Sequence, residues 1–100
     1  MIHISTKDNI KKILVEHELD HREIDELHAE LCKLDVLSLL EITFIEVKYL
    51  PSLIVKVLSL IKDKARITTN QRSLWLYLQQ FDIQNTYKNI RSFEQNDICR

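Results

Sequence analysis

The fold is decided by residues 36–47, which read Val-Leu-Ser-Leu-Leu-Glu-Ile-Thr-Phe-Ile-Glu-Val. Large apolar side chains dominate this run, and Glu41 and Glu46 are its only charged residues. A run of this kind is typical of a strand that lies inside a sheet and is covered on both faces by helices. We therefore expect residues 36–47 to form the central strand of an α/β domain.

Capping signals predict a helix on the N-terminal side of this strand. Asp20 and Glu23 have the spacing of a capping box, and apolar residues follow at helical intervals as far as Leu34. The pattern predicts a helix over residues 21–34. Residues 13–19 begin as an apolar run and then alternate, which favours a strand, and residues 2–4 favour a shorter strand before it.

A second helix is expected after the central strand. Proline is tolerated in the first turn of a helix, so Pro51 favours a helix that starts there and ends near Lys62. Its apolar stripe is predicted to face the sheet and consists of Leu50, Leu53, Ile54, Val57, Leu58 and Ile61. Val55 and Leu60 flank this stripe, and Ser52 lies on the outer side.

The C-terminal half continues the alternation of strands and helices. Residues 65–69 favour a strand, and Asn70 is predicted to cap a third helix. The inward face of that helix is expected to carry Leu74, Tyr77, Leu78 and Phe81. Residues 86–90 favour an edge strand, and Ser92 with Gln95 has the spacing of a capping box for a short terminal helix.

The order of these elements, β-β-α-β-α-β-α-β with or without a last helix, indicates the fold class. Strands that alternate with helices predict an α/β sandwich with a mostly parallel or mixed sheet. We expect four to five strands and three to four helices. A chain of 100 residues with 45% hydrophobic content suits one core, so residues 1–100 are expected to form a single domain.

The composition excludes several functional classes. The chain has no glycine, which excludes the glycine-rich loops that bind phosphate groups and the nucleophile elbow. Tight turns then need Asp or Asn, and the candidates between periodic segments are Asp63, Asn70, Asn85 and Asn89. The two cysteines, Cys32 and Cys99, lack CxxC spacing and are expected to be free thiols. No cofactor is predicted.

The location and the charge of the chain limit its partners. Apolar runs are interrupted by Lys48 or Lys56 well short of a membrane span, and the first residues do not resemble a secretion signal. We expect a cytoplasmic protein that does not insert into a membrane. The densest basic group, between Lys62 and Arg72, contains no interleaved aromatic residue, and the sequence pI is near 6.4. Nucleic-acid binding is therefore not expected.

An acidic segment with three histidines carries the enzyme hypothesis. His17, His21 and His28 lie among several carboxylates, and convergence of these groups in a cleft would make a small metal-dependent enzyme. The spacing matches neither His-x-x-x-His nor the Glu-x-x-His pair of helical metal proteins. A solvated acidic surface is the simpler interpretation. Cys32 on the same helix lacks a base placed by a motif, so no nucleophile is predicted.

Apolar residues on the outer sides of two helices offer a docking surface. Trp75 and Leu76 lie on the side and outer face of the third helix, and Val55 and Leu60 flank the second. Exposed apolar residues are ordinary when solitary, but together they would form an interface. The Trp75 and Leu76 surface, or an edge strand, could also support a homodimer.

A resemblance to a known family adds to this interpretation. Residues 37–50 read Leu-Ser-Leu-Leu-Glu-Ile-Thr-Phe-Ile-Glu-Val-Lys-Tyr-Leu and resemble, without a gap, the strand, turn and helix entry of the STAS domain family. The best-known members are anti-sigma-factor antagonists. The element order and the segment Glu18-Leu19-Asp20 are also similar, and the likeness covers residues 12–93.

The resemblance implies a departure from the family's regulation. The family has an acidic residue at the end of the strand, a second one after the turn, a phosphorylatable Ser or Thr, and a Gly that opens the helix. The corresponding places here hold Ser38, Glu46, Val47 and Tyr49. Only Glu46 keeps its character, and Val47 has no hydroxyl to phosphorylate.

The function implied by the resemblance is non-catalytic. We expect a bacterial regulatory or adaptor protein that binds a kinase-like anti-sigma factor through the entrance of the second helix. The residues expected to contact that partner are Glu46, Val47, Lys48, Tyr49 and Ser52. Small members of the family also serve as cytoplasmic subunits of lipid-trafficking ABC transporters, which is the alternative that the resemblance implies.

Overall fold

A computed structural model describes residues 1–34 and 37–89 of the chain. The strands are β1 (Ile2–Lys7), β2 (Ile10–Glu16), β3 (Leu39–Ile45), β4 (Ala65–Thr69) and β5 (Thr86–Tyr87). The helices are α1 (His21–Cys32), α2 (Ser52–Leu60) and α3 (Arg72–Gln79), and a short 3₁₀ turn covers Lys62–Lys64. The predicted fold class, α/β with a mostly parallel or mixed sheet of four to five strands and three to four helices, is confirmed, with five strands and three α-helices among the described residues.

The sheet has the order β1-β2-β3-β4-β5, which is the order along the chain. The β1–β2 pair is antiparallel and the other three pairs are parallel, with β3 in the middle as predicted. Parallel strands are joined by right-handed crossovers. Because each crossover here leads to the next strand in the same direction, α1, α2 and α3 all lie on one face of the sheet.

The β1–β2 hairpin turns on Asp8 and Asn9, which have positive φ angles of 54° and 65°. Two residues of this conformation form the primed turn that suits the twist of a hairpin, and Asp and Asn adopt it at low cost. Asp63, Asn70 and Asn85 lie between later elements, as predicted, but none of them has a positive φ. Within residues 1–34 and 37–89, the other left-handed residues are His17, Glu46 and Asp82.

One continuous core fills the space between the sheet and the helices. The strands contribute Ile13, Val15, Leu40, Ile42, Phe44 and Ile67, which alternate along their strands and share the helix-bearing face. The helices contribute Leu27, Leu31, Ile54, Val55, Leu58, Leu74 and Leu78. Burial of these side chains supplies the main free energy that holds the two layers together.

Lys11 and Glu30 form an ion pair at the border of this core. The Lys11 Nζ lies 2.8 Å from Glu30 Oε1 and joins β2 to α1, with both side chains largely buried. The hydrogen bond from Lys11 holds the pKa of the Glu30 carboxyl below its ordinary value, and a second bond from Lys33 acts in the same direction. The pair therefore favours docking of α1 when Glu30 is ionised.

The second face of the sheet is polar, so the prediction that β3 is buried on both faces was wrong. Glu41 on this face lies between Lys12 and Arg66, at 4.0 and 3.8 Å. None of the three helices described above covers it, because the sequential strand order places them all on the opposite face. Leu14 and Ile45 are the buried residues that strand alternation places on the polar face.

Several predicted boundaries were also wrong. The strand predicted at residues 13–19 is β2, which ends at Glu16 because His17 turns the chain with a φ of 69°. The central strand begins at Leu39, and residues 35 and 36 lie outside the described part. The last strand ends at Tyr87, and the proposed terminal helix at Ser92 and Gln95 lies outside the described residues.

The capping box of α1 is confirmed, whereas the predicted cap of α3 was wrong. Glu23 N donates to Asp20 Oδ1 at 2.8 Å, and Asp20 N donates to Glu23 Oε1 at 3.2 Å. Gln71, not Asn70, is the N-cap residue of α3, and its side chain makes no capping bond. The Asn70 side chain is instead bonded to Glu46.

The inward faces of α2 and α3 differ from the apolar stripes predicted for them. Leu53 was expected in the core but is 45% exposed, whereas Val55 is buried. The buried arc of α2 is set by α1 as well as by the sheet, since the two helices are in contact. Phe81 is also exposed, because α3 ends at Gln79, and Ile83 is buried in its place.

Candidate functional site

The carboxyl ends of the parallel strands meet at one edge of the sheet, where α/β proteins commonly bind ligands and partners. The chain leaves β2 through His17 and Glu18, leaves β3 through Glu46, and leaves β4 through Asn70 and Gln71. Short polar side chains and carboxylates therefore gather at this edge, beside the start of α2.

Glu46 joins the end of β3 to the end of β4. Its backbone N–H donates to Asn70 Oδ1 at 2.8 Å, and Asn70 Nδ2 donates to Glu46 Oε2 at 2.9 Å. Gln71 Nε2 donates to the same carboxylate oxygen at 2.9 Å. Glu46 has a φ of 60°, a conformation that costs a non-glycine residue free energy. The three hydrogen bonds offset this cost and hold the turn in one conformation.

Glu18 braces the same turn from the other side. Its Oε2 accepts a hydrogen bond of 2.9 Å from the backbone N–H of Lys48. His17 N donates to Ile45 O at 2.8 Å, which ties the end of β2 to the end of β3. The segment that leads into α2 is consequently held at Glu46 by the residues that follow β4 and at Lys48 by Glu18, which follows β2.

The braced segment alternates between buried and exposed side chains. Val47 and Leu50 are buried in the core, whereas Lys48 is exposed and Tyr49 is 71% exposed. The side chain of Val47, which was predicted to contact a partner, instead lies in the core of this structure, because an aliphatic side chain directly after β3 continues the apolar run of the strand. The other four residues, Glu46, Lys48, Tyr49 and Ser52, are exposed, and we name them the α2 entrance.

The electrostatics of the α2 entrance are positive on the helix side. Pro51 is the N-cap residue and offers no side-chain cap, and the first turn of α2 contains no acidic residue. The positive end of the helix dipole is therefore not neutralised by the helix itself. Lys48 adds a positive charge, while two carboxylates lie beside it: Glu46, which accepts from Asn70 and Gln71, and Glu18, which accepts from the backbone N–H of Lys48.

The histidines of the acidic segment do not converge on a metal site in the described part of the chain. Within residues 1–34 and 37–89, no three His, Cys, Asp or Glu side chains come close enough together to hold a metal ion. His28 lies beside Cys32, with 3.7 Å between Nε2 and Sγ, whereas His17 is in the turn after β2. Cys32 is a free thiol, as predicted.

The predicted patch of Val55, Leu60, Trp75 and Leu76 does not assemble as a set. Val55 is buried, and Trp75 is half-buried with its ring 6.1 Å from the ring of Tyr87. Leu60 and Leu76 remain exposed on two different helices, α2 and α3. Tyr49 and Leu53 are the exposed large apolar residues at the start of α2, and Leu60 is exposed at its other end.

An open groove of about 560 Å³ lies at the opposite end of β4. Ala65 and Ile67 form one wall, and residues 82–86 form the other. It shares no residue with the α2 entrance.

Sequence reasoning missed the residues that brace the entrance. The side chains of Glu18, Asn70 and Gln71 were not assigned to the site, because their bonds link positions up to 30 residues apart. The only local signal was the residue type of Asn70 and Gln71, since an amide side chain can both donate and accept hydrogen bonds. Leu53 was missed as an exposed residue because the orientation of α2 was predicted incorrectly, whereas Leu60 was correctly expected outside the apolar stripe.

Comparison with known proteins leaves the family open. No protein-family model matches the sequence, and no curated protein matches it. Among the described residues, no helix is long and apolar enough to cross a membrane.

Proposed function

We propose that this domain is a non-catalytic docking module that binds a larger protein through the α2 entrance. The observation that supports this most is the exposed ring of Tyr49 on a backbone braced by Glu18 and Glu46. Exposed aromatic side chains are frequent anchors of interfaces. A backbone that is already ordered loses little conformational freedom when a partner binds, which favours affinity.

The residues of the α2 entrance have different roles in this proposal. Tyr49 is the anchor, and Lys48 and Ser52 supply the polar contacts around it. Glu46 is a positioning residue, because its carboxylate is already bonded to Asn70 and Gln71 and it fixes the turn that presents Tyr49.

The resemblance to STAS domains suggests the class of partner. On that basis the protein is a bacterial cytoplasmic regulator, and the partner is a kinase-like anti-sigma factor. A subunit of a lipid-trafficking ABC transporter is the alternative within the same family. Because Val47 lacks a hydroxyl and is buried, binding is not released by phosphorylation at that position.

A site-specific photocrosslinker tests the proposal. Benzoylphenylalanine replaces Tyr49 in one variant and Leu76 in a control, since Leu76 is 46% exposed on α3 and does not belong to the entrance. After irradiation in cells, mass spectrometry identifies the crosslinked proteins. We expect one dominant protein from position 49 that is absent from position 76.

The identity of the crosslinked protein separates the two partner classes. A protein with a kinase-type ATP-binding domain supports the anti-sigma-factor assignment, and a transporter ATPase or permease supports the alternative. The same products from both positions, or none from position 49, would contradict docking through the α2 entrance.

A further inference from the structure

The outer face of α2 extends the α2 entrance with two exposed leucines. Leu53 is 45% exposed and Leu60 is 85% exposed. Residues seven apart lie on the same side of a helix after two turns, about 10 Å apart along its axis. Lys56 lies between them and is also exposed. We name Leu53, Lys56 and Leu60 the α2 ridge.

Lys48 and the α2 ridge carry positive charge in a segment without acidic residues, which begins directly after Glu46 of the entrance. Between Val47 and Lys62 the sequence contains three lysines and no Asp or Glu. Lys62 is 3.5 Å from Asp82, but the side chains of Lys48 and Lys56 make no ion pair with any residue in the described ranges. The segment therefore carries two ammonium groups without an ion pair among the described residues, and the N-terminus of α2 has no side-chain cap.

The other two helices have fewer exposed large apolar residues than α2, although the N-terminus of α3 also lacks a side-chain cap and an acidic residue. The exposed residues of α1 include Asp25 and Glu26 but no large apolar side chain. On α3, Leu76 is the exposed large apolar residue, and the N-terminal residue of that helix is Arg72. A second copy of this chain could offer acidic groups from α1, but α1 has no exposed apolar residue to cover Leu53 and Leu60.

We infer that the α2 ridge binds an amphipathic helix of the partner whose apolar stripe is bordered by Asp and Glu residues. The inference rests on the proposed docking function and names the chemistry of its partner. Apolar residues of such a helix repeat at intervals of three, four and seven, which matches the seven-residue spacing of Leu53 and Leu60. Its carboxylates face Lys48 and Lys56, and this opposite charge gives the interface its specificity.

Two synthetic peptides of about 18 residues, or five helical turns, test the inference. Both carry leucines in the same heptad positions, and the flanking positions hold Glu in one peptide and Lys in the other. Affinities are measured by fluorescence anisotropy at low and physiological salt, and amide shifts in ¹H–¹⁵N spectra map the contact. We expect the acidic peptide to bind at least about tenfold more tightly than the basic one, with shifts centred on α2.

Charge reversal and truncation sharpen this test. Lys56→Glu should weaken the acidic peptide by about tenfold and strengthen the basic one, because like charges then oppose each other. Leu60→Ala should weaken the acidic peptide by a similar factor, while the matched control Leu76→Ala leaves binding unchanged. Equal affinities for the two peptides, or shifts centred on α1, α3 or β4, would overturn the inference.

The test separates this inference from the proposed function. If position 49 crosslinks one partner while the acidic peptide fails to bind, the docking function stands and the acidic-helix inference is wrong. If the purified protein forms a dimer that Leu60→Ala dissociates, as measured by sedimentation equilibrium, the ridge is occupied by a second copy and the inference is also wrong. If the acidic peptide binds at the ridge but position 49 crosslinks nothing, the inference holds and the anchor is not Tyr49.

Discussion

Glycine substitutions at two left-handed residues measure how the α2 entrance is held. His17 and Glu46 follow adjacent strands and have φ angles of 69° and 60°. A residue with a Cβ in this region costs roughly 1–2 kcal/mol, and glycine recovers that cost but loses about 0.5–1 kcal/mol through its more flexible unfolded state. His17→Gly should therefore stabilise the fold by about 0.5–1 kcal/mol, since the His17 side chain makes no bond to the described residues.

Glu46→Gly should relieve the same free-energy cost of the left-handed backbone, but it also removes a carboxylate. The Glu46 Oε2 accepts hydrogen bonds of 2.9 Å from both Asn70 and Gln71. Each is worth about 1 kcal/mol when discounted for its exposure to solvent. Loss of both should outweigh the backbone gain, so that Glu46→Gly destabilises the protein by about 1 kcal/mol and the two glycine variants differ by about 2 kcal/mol.

Urea denaturation measures these differences as shifts of the midpoint at constant slope. The alanine variants at the same positions serve as controls, because alanine keeps the Cβ and with it the free-energy cost of a positive φ. His17→Ala should be nearly neutral, and Glu46→Ala should lose about 2 kcal/mol. The gain from alanine to glycine should then be equal at the two positions. If His17→Gly is no more stable than His17→Ala, the chain does not turn left-handed after β2 and the bracing described for the entrance is wrong.

Three further predictions concern stability. Leu58→Ala, in the core, should cost about 2–5 kcal/mol by thermal or urea unfolding, whereas Tyr49→Ala should change stability by less than about 0.5 kcal/mol; equal losses would make Tyr49 a core residue. Because the pKa of Glu30 is lowered in the folded protein, its pair with Lys11 stabilises the protein above the ordinary carboxyl pKa, and this contribution is lost as the pH falls. Glu30→Gln should therefore weaken the dependence of stability on pH below about pH 4.5. An unchanged pH dependence would contradict the pairing. Ser52→Glu should raise stability by about 0.3–1 kcal/mol in calorimetry, because it places a carboxylate at the free N-terminus of α2, and a loss would refute that electrostatic argument.

Local signals were enough for the elements whose cause is local. The capping box of Asp20 and Glu23 placed the start of α1, and the apolar run around Phe44 placed the central strand. Both signals act over a few residues, through hydrogen bonds or through alternation on the sheet. The two-residue turn at Asp8 and Asn9 also has a local cause, but it was not among the predicted turns.

Contacts between distant residues determined what the sequence did not predict. The orientation of α2 depends on its contact with α1. Leu53, which was expected in the core, is therefore exposed, and Val55, which was expected beside the apolar stripe, is buried. Asn70 has the residue type of a helix cap, but its amide is bonded to Glu46, 24 residues earlier. Periodicity describes one element at a time and carries no information on such partners.

The four members of the α2 entrance were predicted from the family resemblance, and they are exposed as docking requires. Val47 shows the limit of a position-by-position comparison. The resemblance aligns Val47 with a hydroxyl-bearing residue, but the hydrophobic effect favours burial of a valine, and Val47 lies in the core.

The sequential order of the strands also governs how the chain folds during synthesis. Each strand pairs with the strand that precedes it in the sequence, so every completed strand and helix can dock on structure already formed. Each parallel pair nevertheless waits for its whole crossover, which between Glu16 and Leu39 closes a long loop before any contact forms. A nascent chain that ends after α2 presents the unpaired edge of β3, the most apolar strand, to its surroundings. Aggregation of such intermediates, rather than the stability of the finished domain, should therefore limit the yield of C-terminal truncations that remove β4.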